Sequence, residues 1–120
     1  MTGPDEWVVD MANVVGSRPD GWWRDRPGAT RRLLDAIAAA GLGPVVAVVE
    51  GPATVVADVP GVETVRATGS GDDEIVAQAR RRPGATVVTA DRGLRTRLPP
   101  GTPVAGPREF LDRLARPGAP

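Results

Sequence analysis

The sequence predicts an α/β domain with a mostly parallel central sheet. Three observations carry this. Short apolar runs, best seen in Val45-Val46-Ala47-Val48-Val49, are continuous and largely β-branched, as in strands covered on both faces. Stretches with helical spacing alternate with these runs along the chain. Carboxylates recur at the strand ends, at Asp10, Glu50 and Asp91, with Asp72 and Asp73 opening the helix after the third strand. Right-handed crossovers then place helices on both faces of the sheet.

The elements follow in order. Trp7-Val8-Val9 reads as a buried strand ending at Asp10. Residues 16–28 form a polar loop rich in Gly, Pro, Trp and Arg, and Pro27 suits the first turn of a helix. Leu33, Ala36, Ile37 and Ala40 recur at i, i+3, i+4 and i+7, the spacing of one buried helical face, and Gly41 and Gly43 end it. Val45–Val49 is the second strand. Thr54-Val55-Val56 reads as a short extension or an edge strand. Val62 to Ala67 alternates as a third main strand. Ser70 is the expected cap of the next helix, with Ile75, Val76 and Ala79 facing inward. Arg80-Arg81-Arg82 suits the negative end of its dipole. Thr86 to Ala90 is the fourth strand, and a short helix covers 92–98 before Pro99-Pro100-Gly101 breaks it. Thr102 to Ala105 is the last strand. Arg108 to Ala115 is the last helix, with Phe110, Leu111 and Leu114 facing in.

At 120 residues the chain suits one domain, read as 1–116, with 117–120 as a short flexible tail. Glycine and proline number 15 and 13, so turns are frequent and elements short. Hydrophobic residues make up 41%, enough for a small core. There is no Cys, His, Lys or Tyr, and all 15 basic residues are Arg. Disulfides, thiolate or imidazole metal sites, Cys and Lys nucleophiles and P-loops are thereby excluded. The formal net charge is zero, so nucleic acid would have to be met by local Arg clusters. No apolar segment approaches membrane-spanning length and no signal-peptide pattern opens the chain, so a cytoplasmic protein is expected.

In a parallel sheet the strand C-termini share one edge, where ligands bind at the topological switch point. Acids distant in sequence therefore converge there. Clustered carboxylates repel, and are protonated, paired with Arg, or hold a cation. An all-oxygen donor set selects a hard ion, Mg²⁺ or Mn²⁺. Such an ion activates water and stabilises a phosphoryl transition state. Each acid taken alone also reads as a helix cap or a first-turn acid.

The segment from Val8 to Ser17, with Asp10 and Asn13 at its centre, resembles the V-D-G-x-N-x-x-G-S opening of NYN domains. These are the PIN-like ribonuclease branch that includes the bacterial YacP-like proteins. Arg18 to Arg26 resembles the loop that follows in bacterial members. Gly71-Asp72-Asp73-Glu74-Ile75 is similar to their A-D-D-x-I helix start, and Val87-Val88-Thr89-Ala90-Asp91-Arg92 to their V-V-T-S-D-R. Glu50-Gly51 stands where relatives often have Asp-Gly. The four motifs keep their order over roughly residues 7–115. The resemblance implies a three-layer α/β/α PIN-like sandwich and metal-dependent RNA hydrolysis. By motif position it assigns Asp10, Asp72 and Asp91 as metal ligands, Asn13 as an organiser of the site, Asp73 as a further catalytic acid and Glu50 as a secondary acid. Met11 departs from the pattern, standing where the family has Gly. PIN-like relatives often dimerise, so a homodimer is one expected assembly. A haloacid-dehalogenase-like site fits less well because position 12 is Ala, a Toprim site because no later D-x-D exists, and a dinucleotide site because Gly69-Ser70-Gly71 lacks its third Gly.

The loop after Asn13 adds Arg18, Trp22, Trp23, Arg24 and Arg26. Guanidinium groups beside exposed indoles suit single-stranded or structured RNA, with phosphates on Arg and bases on the rings. The same indoles could instead cover the core, and the expected outcome is one buried and one partly exposed. Asp20 and Asp25 are expected to pair with these arginines, or Asp25 to cap the helix. Arg92 is a further candidate phosphate contact. Two other functions use the same fold: a non-catalytic RNA-binding module, and the toxin of a toxin–antitoxin pair.

Overall fold

The computed structural model describes residues 5–116; the tail expected at 117–120 lies outside them. Five parallel strands form one sheet in the order β3-β2-β1-β4-β5. They are β1 (Trp7–Asp10), β2 (Val45–Val49), β3 (Glu63–Arg66), β4 (Thr86–Val88) and β5 (Val104–Ala105). The helices are α1 (Met11–Gly16), α2 (Arg26–Ala40), α3 (Gly71–Arg81), α4 (Arg92–Arg97) and α5 (Pro107–Ala115).

The period-two geometry of strands explains why these runs are apolar throughout. Val9, Val45, Ala47, Val49 and Val88 join the core beneath α1, α2 and α5. Val8, Val46, Val48 and Val87 join a second core beneath α3 and α4. This is the expected three-layer α/β/α sandwich. Leu33 and Leu34 of α2 are both fully buried. Each such side chain stabilises the fold by about 1.5–3 kcal/mol.

The helical face of α2 differs from the sequence expectation. Leu34 takes the place assigned to Ala36, which is exposed, and Ala40 is only half-buried. The sheet is broad enough that two adjacent leucines face it, so the apolar stripe is centred on Leu33, Leu34 and Ile37. In α5, Phe110 is fully buried, whereas Leu111 and Leu114 flank the core half-exposed.

Thr54–Val56 is neither a strand nor a strand extension. Gly51 turns the chain at φ 57°, Pro52 follows, and residues Gly51–Val55 wind into a 3-10 turn. The Arg66 guanidinium donates to the carbonyls of Thr54 and Val56 at 2.9 and 2.5 Å, which holds this turn against the end of β3. At the opposite edge of the sheet Arg82 donates to Gln78 and pairs with Glu6 and Glu63 at 3.2 and 3.3 Å. That network uses the last of the three consecutive arginines and ties the end of α3 to the start of the sheet.

Candidate active site

Strand β1 is central, with β2 and β3 to one side and β4 and β5 to the other. The chain reverses its winding direction between β1 and β4, and the crevice at their C-terminal ends is where α/β sheets bind ligands. Asp10 ends β1 there. It is two residues from Val8, so its side chain shares the α3–α4 face.

Asp10 is also the N-cap of α1, a six-residue helix over a stretch for which the sequence reading named no element. Its Oδ1 accepts the Asn13 N–H at 3.3 Å, the bond expected of an N-cap. Its Oδ2 accepts the Thr89 hydroxyl at 2.9 Å. Thr89 is fully buried, and its Oγ1 in turn accepts the Asp91 N–H at 3.1 Å. One hydroxyl thus links the acid after β1 to the acid after β4. Asn13 makes a second link, its Oδ1 accepting the Ala90 N–H at 2.8 Å. The Arg95 guanidinium donates to the Thr89 carbonyl at 2.7 Å. The sequence reading missed Thr89 and Arg95. A hydroxyl two residues before a strand-end Asp was the available signal for the first; nothing in the sequence marked the second.

Asp91 caps α4, its Oδ1 accepting the Leu94 N–H at 3.1 Å. Helix α3 is capped differently from the expectation. Ser70 makes no side-chain cap bond. The Gly71 N–H instead donates to Glu50 Oε2 at 2.9 Å, across the sheet edge from the end of β2. Ser70 has the extended backbone usual for an N-cap, but the Glu50 carboxylate takes the place at the helix N-terminus. A Cβ on Gly71 would stand 2.8 Å from that carboxylate oxygen. A side chain here would push the Glu50 carboxylate out of its cap position. Asp73 points to α4, where Arg97 pairs with it at 2.5 Å. Its charge still contributes to raising the Asp72 carboxyl beside it.

The electrostatics join the rest. Burial raises the Asp10 carboxyl from its ordinary 3.8 to about 6, against the lowering effect of the Thr89 and Asn13 bonds, and the charges of Asp72 and Glu50 raise it further. Asp72 is raised too, by desolvation and then by Asp91 and Glu50, with Arg97 opposing. Asp10, Glu50, Asp72 and Asp91 therefore share one field. Among the described residues no three of these carboxylates close on a single point that would hold a cation. In chemistry the set fits a hard divalent ion, being all oxygen and mutually repelling. In placement Asp10, Glu50 and Asp91 are each engaged by a backbone or hydroxyl donor, whereas Asp72 accepts no hydrogen bond among the described residues.

Met11 does not intrude. It is negative in φ like every non-glycine described, and its side chain is buried in the core between the sheet and α2. The family's Gly is thus not required here by backbone conformation.

The Arg and Trp loop stands at the far end of α1. Trp22 and Trp23 lie in a 3-10 turn, Trp22–Arg24. Trp22 packs half-buried on the core, its ring over Gly16, whereas Trp23 is 60% exposed. The two rings meet edge to face at 6.0 Å. Arg24 lies over Trp23 and Arg26 over Trp22. Asp25 caps α2 through the Gly28 N–H at 3.0 Å, and Asp20 pairs loosely with Arg18 at 3.9 Å. Arg92 is exposed at the first turn of α4.

This topology has a known counterpart. The fold is shared with Rae1 (YacP) of Bacillus subtilis. A crystal structure of a mutant of that protein matches with a TM-score of 0.78, over 92% of this chain and 74% of the other. The two sequences are 19% identical over the match, so the likeness is one of fold. No family model and no curated protein matches the chain. No helix among the described residues is long and apolar enough to cross a membrane.

Proposed function

We propose that this chain is a metal-dependent ribonuclease that hydrolyses RNA phosphodiester bonds at the β1–β4 crevice. The observation that carries the proposal is the gathering of Asp10, Glu50, Asp72 and Asp91 at the switch point, where burial first and mutual repulsion second raise the Asp10 and Asp72 carboxyls. Three of these acids also cap helices, yet mutually repelling carboxylates gathered at a ligand-binding edge are what a cation site needs. Asp10, Asp72 and Asp91 would hold Mg²⁺ or Mn²⁺, with small side-chain rotations of Asp10 and Asp91 away from the caps they now make. A bound ion of this kind supplies Lewis-acid stabilisation of the phosphate and activation of water.

The chain's own residues do the rest. Thr89 and Asn13 hold the two strand ends together, so that Asp10 and Asp91 face one crevice. Glu50 sets the N-terminus of α3 and with it Asp72. Arg92 offers a charge at the crevice rim for a phosphate. The loop residues Arg18, Trp22, Trp23, Arg24 and Arg26 extend the surface on which RNA would lie, with Trp22 as its support.

The test is cleavage of single-stranded RNA in Mn²⁺ by the wild type and by Asp72→Asn. Asp72 is half-exposed and makes no hydrogen bond, so the substitution leaves the fold intact. Loss of cleavage in the variant is the expected result; full activity in it would sink the assignment. The second reading is an RNA-binding module without catalysis. It is favoured by the one fact that no three carboxylates converge in the present placement. It is distinguished by salt-dependent RNA binding with no metal-dependent cleavage.

A further inference from the structure

We propose that Trp23 is a stacking platform for one unpaired nucleobase, and that this platform restricts the chain to single-stranded polynucleotide. The inference rests on the nuclease reading for the position of the strand, and deepens it by naming the form of substrate. The two adjacent indoles have different jobs. Trp22 is held on the core and over Gly16, so it supports the loop. Trp23 turns outward with 60% of its surface in water. Exposing an indole this far leaves a large, flat apolar face open to a ligand.

The surroundings select the occupant. Trp23 and Val55 are the exposed large hydrophobic residues among those described, and Val55 belongs to a separate turn after β2. Trp23 is therefore a single ring among charged neighbours and not part of an apolar patch of the kind that binds proteins. Its neighbours Arg24 and Arg26 make no ion pair among the described residues, while Asp25 is committed to capping α2. An exposed indole with Arg24 over its ring and Arg26 over the neighbouring one, neither guanidinium ion-paired among the described residues, matches a base flanked by phosphates. A paired base is stacked within its own helix and offers no such face. The loop is seated at the end of α1, a helix of six residues whose start is Asp10. That helix is about 9 Å long at 1.5 Å per residue, and Trp22, next to Trp23, lies against its last residue, Gly16.

The test measures binding in EDTA, where no cleavage occurs, using the full chain and dye-labelled oligonucleotides. The probes are hexa-adenylate RNA, its abasic counterpart and a blunt RNA duplex. The wild type is expected to bind hexa-adenylate about 10-fold more tightly than the abasic strand. Trp23→Ala should lose that difference, and Trp23→Phe should keep most of it, since any aromatic face serves. Thermal unfolding of both variants confirms that this exposed position does not affect folding. Equal affinity of wild type and Trp23→Ala for hexa-adenylate overturns the proposal, as does a preference for the duplex or the absence of binding altogether. Cleavage by the wild type in Mn²⁺, and its loss in Asp72→Asn, is read separately. A failed platform with intact cleavage is thereby told apart from a failed nuclease reading.

Discussion

At the residue scale, Thr89 and Asp10 show how a buried acid is held ready. The Thr89 hydroxyl gives Asp10 its shortest hydrogen bond and lowers a carboxyl that burial raises. Thr89→Val keeps the shape and removes the donor. It should destabilise the fold by about 1–3 kcal/mol, because a buried acceptor loses its partner. Urea unfolding of the variant checks this, and a midpoint equal to the wild type's would contradict it. The same carboxyl gives a pH dependence whose sign is fixed. Its protonation equilibrium lies higher in the folded chain, about 6, than the ordinary 3.8. The folded state thus holds the proton more tightly. The associated stability is fully present below pH 3.8 and lost as pH rises through 6, for a total of about 3 kcal/mol. The raised Asp72 contributes in the same direction. Removing Asp10 as a titrating group, in Asp10→Asn, should therefore flatten stability against pH between 4 and 7. An unchanged profile would show that burial of this acid is not felt by the fold.

At the element scale the cap of α3 is the informative joint. Its N-terminus is held by Glu50, 21 residues earlier in sequence, and not by the adjacent Ser70. A helix cap is worth about 1 kcal/mol wherever the acceptor comes from. Gly71→Ala would drive a methyl group against the Glu50 carboxylate. We expect it to lower Tm by several degrees, the amount that corresponds to about 1–2 kcal/mol. Ser70→Ala should leave Tm nearly unchanged. The reverse order of effects in a calorimetric comparison would refute this account of the cap. Glu50→Gln keeps an acceptor oxygen and should fall between the two. Because the cap reaches across from β2, Glu50 acts on Asp72 by setting where α3 begins. The acid read from sequence as secondary in the site is thus first a positioning residue.

At the scale of the whole molecule, the distribution of charge matters more than its sum. The formal net charge is zero, yet four carboxylates share the C-terminal edge of the sheet. Three of the arginines instead lie at the end of α3. Bringing like charges together costs stability unless something neutralises them. A divalent cation that binds the folded chain should raise Tm, by about 2.7 kcal/mol of stabilisation at a concentration 100-fold above its Kd. Titration with Mn²⁺ or Mg²⁺ under thermal unfolding measures this. The rise is expected to vanish in Asp72→Asn. No change in Tm at millimolar metal would favour the RNA-binding reading over the hydrolytic one.

The sequence by itself determined the parallel α/β class, because strands covered on both faces must be apolar at every position, as Val45–Val49 are. It also located Asp10, Glu50 and Asp91 at strand ends, since a charge cannot continue such a run. It left Asp25 open between an Arg partner and a cap, and expected one buried indole where the structure has Trp22 half-buried and Trp23 exposed. Four matters were left to the tertiary structure. The cap of α3 comes from Glu50, a contact between distant parts of the chain that no local pattern encodes. The turn at Gly51 and Pro52 excludes Thr54–Val56 from the sheet, although their β-branched side chains fit a strand equally well. Leu34 rather than Ala36 faces the sheet, because the width of the covered surface, and not spacing alone, sets which residues are buried. Thr89 joins two strand ends that lie 79 residues apart. Local composition reports which elements form; the partners of their polar ends are decided only when the sheet brings those ends to one edge.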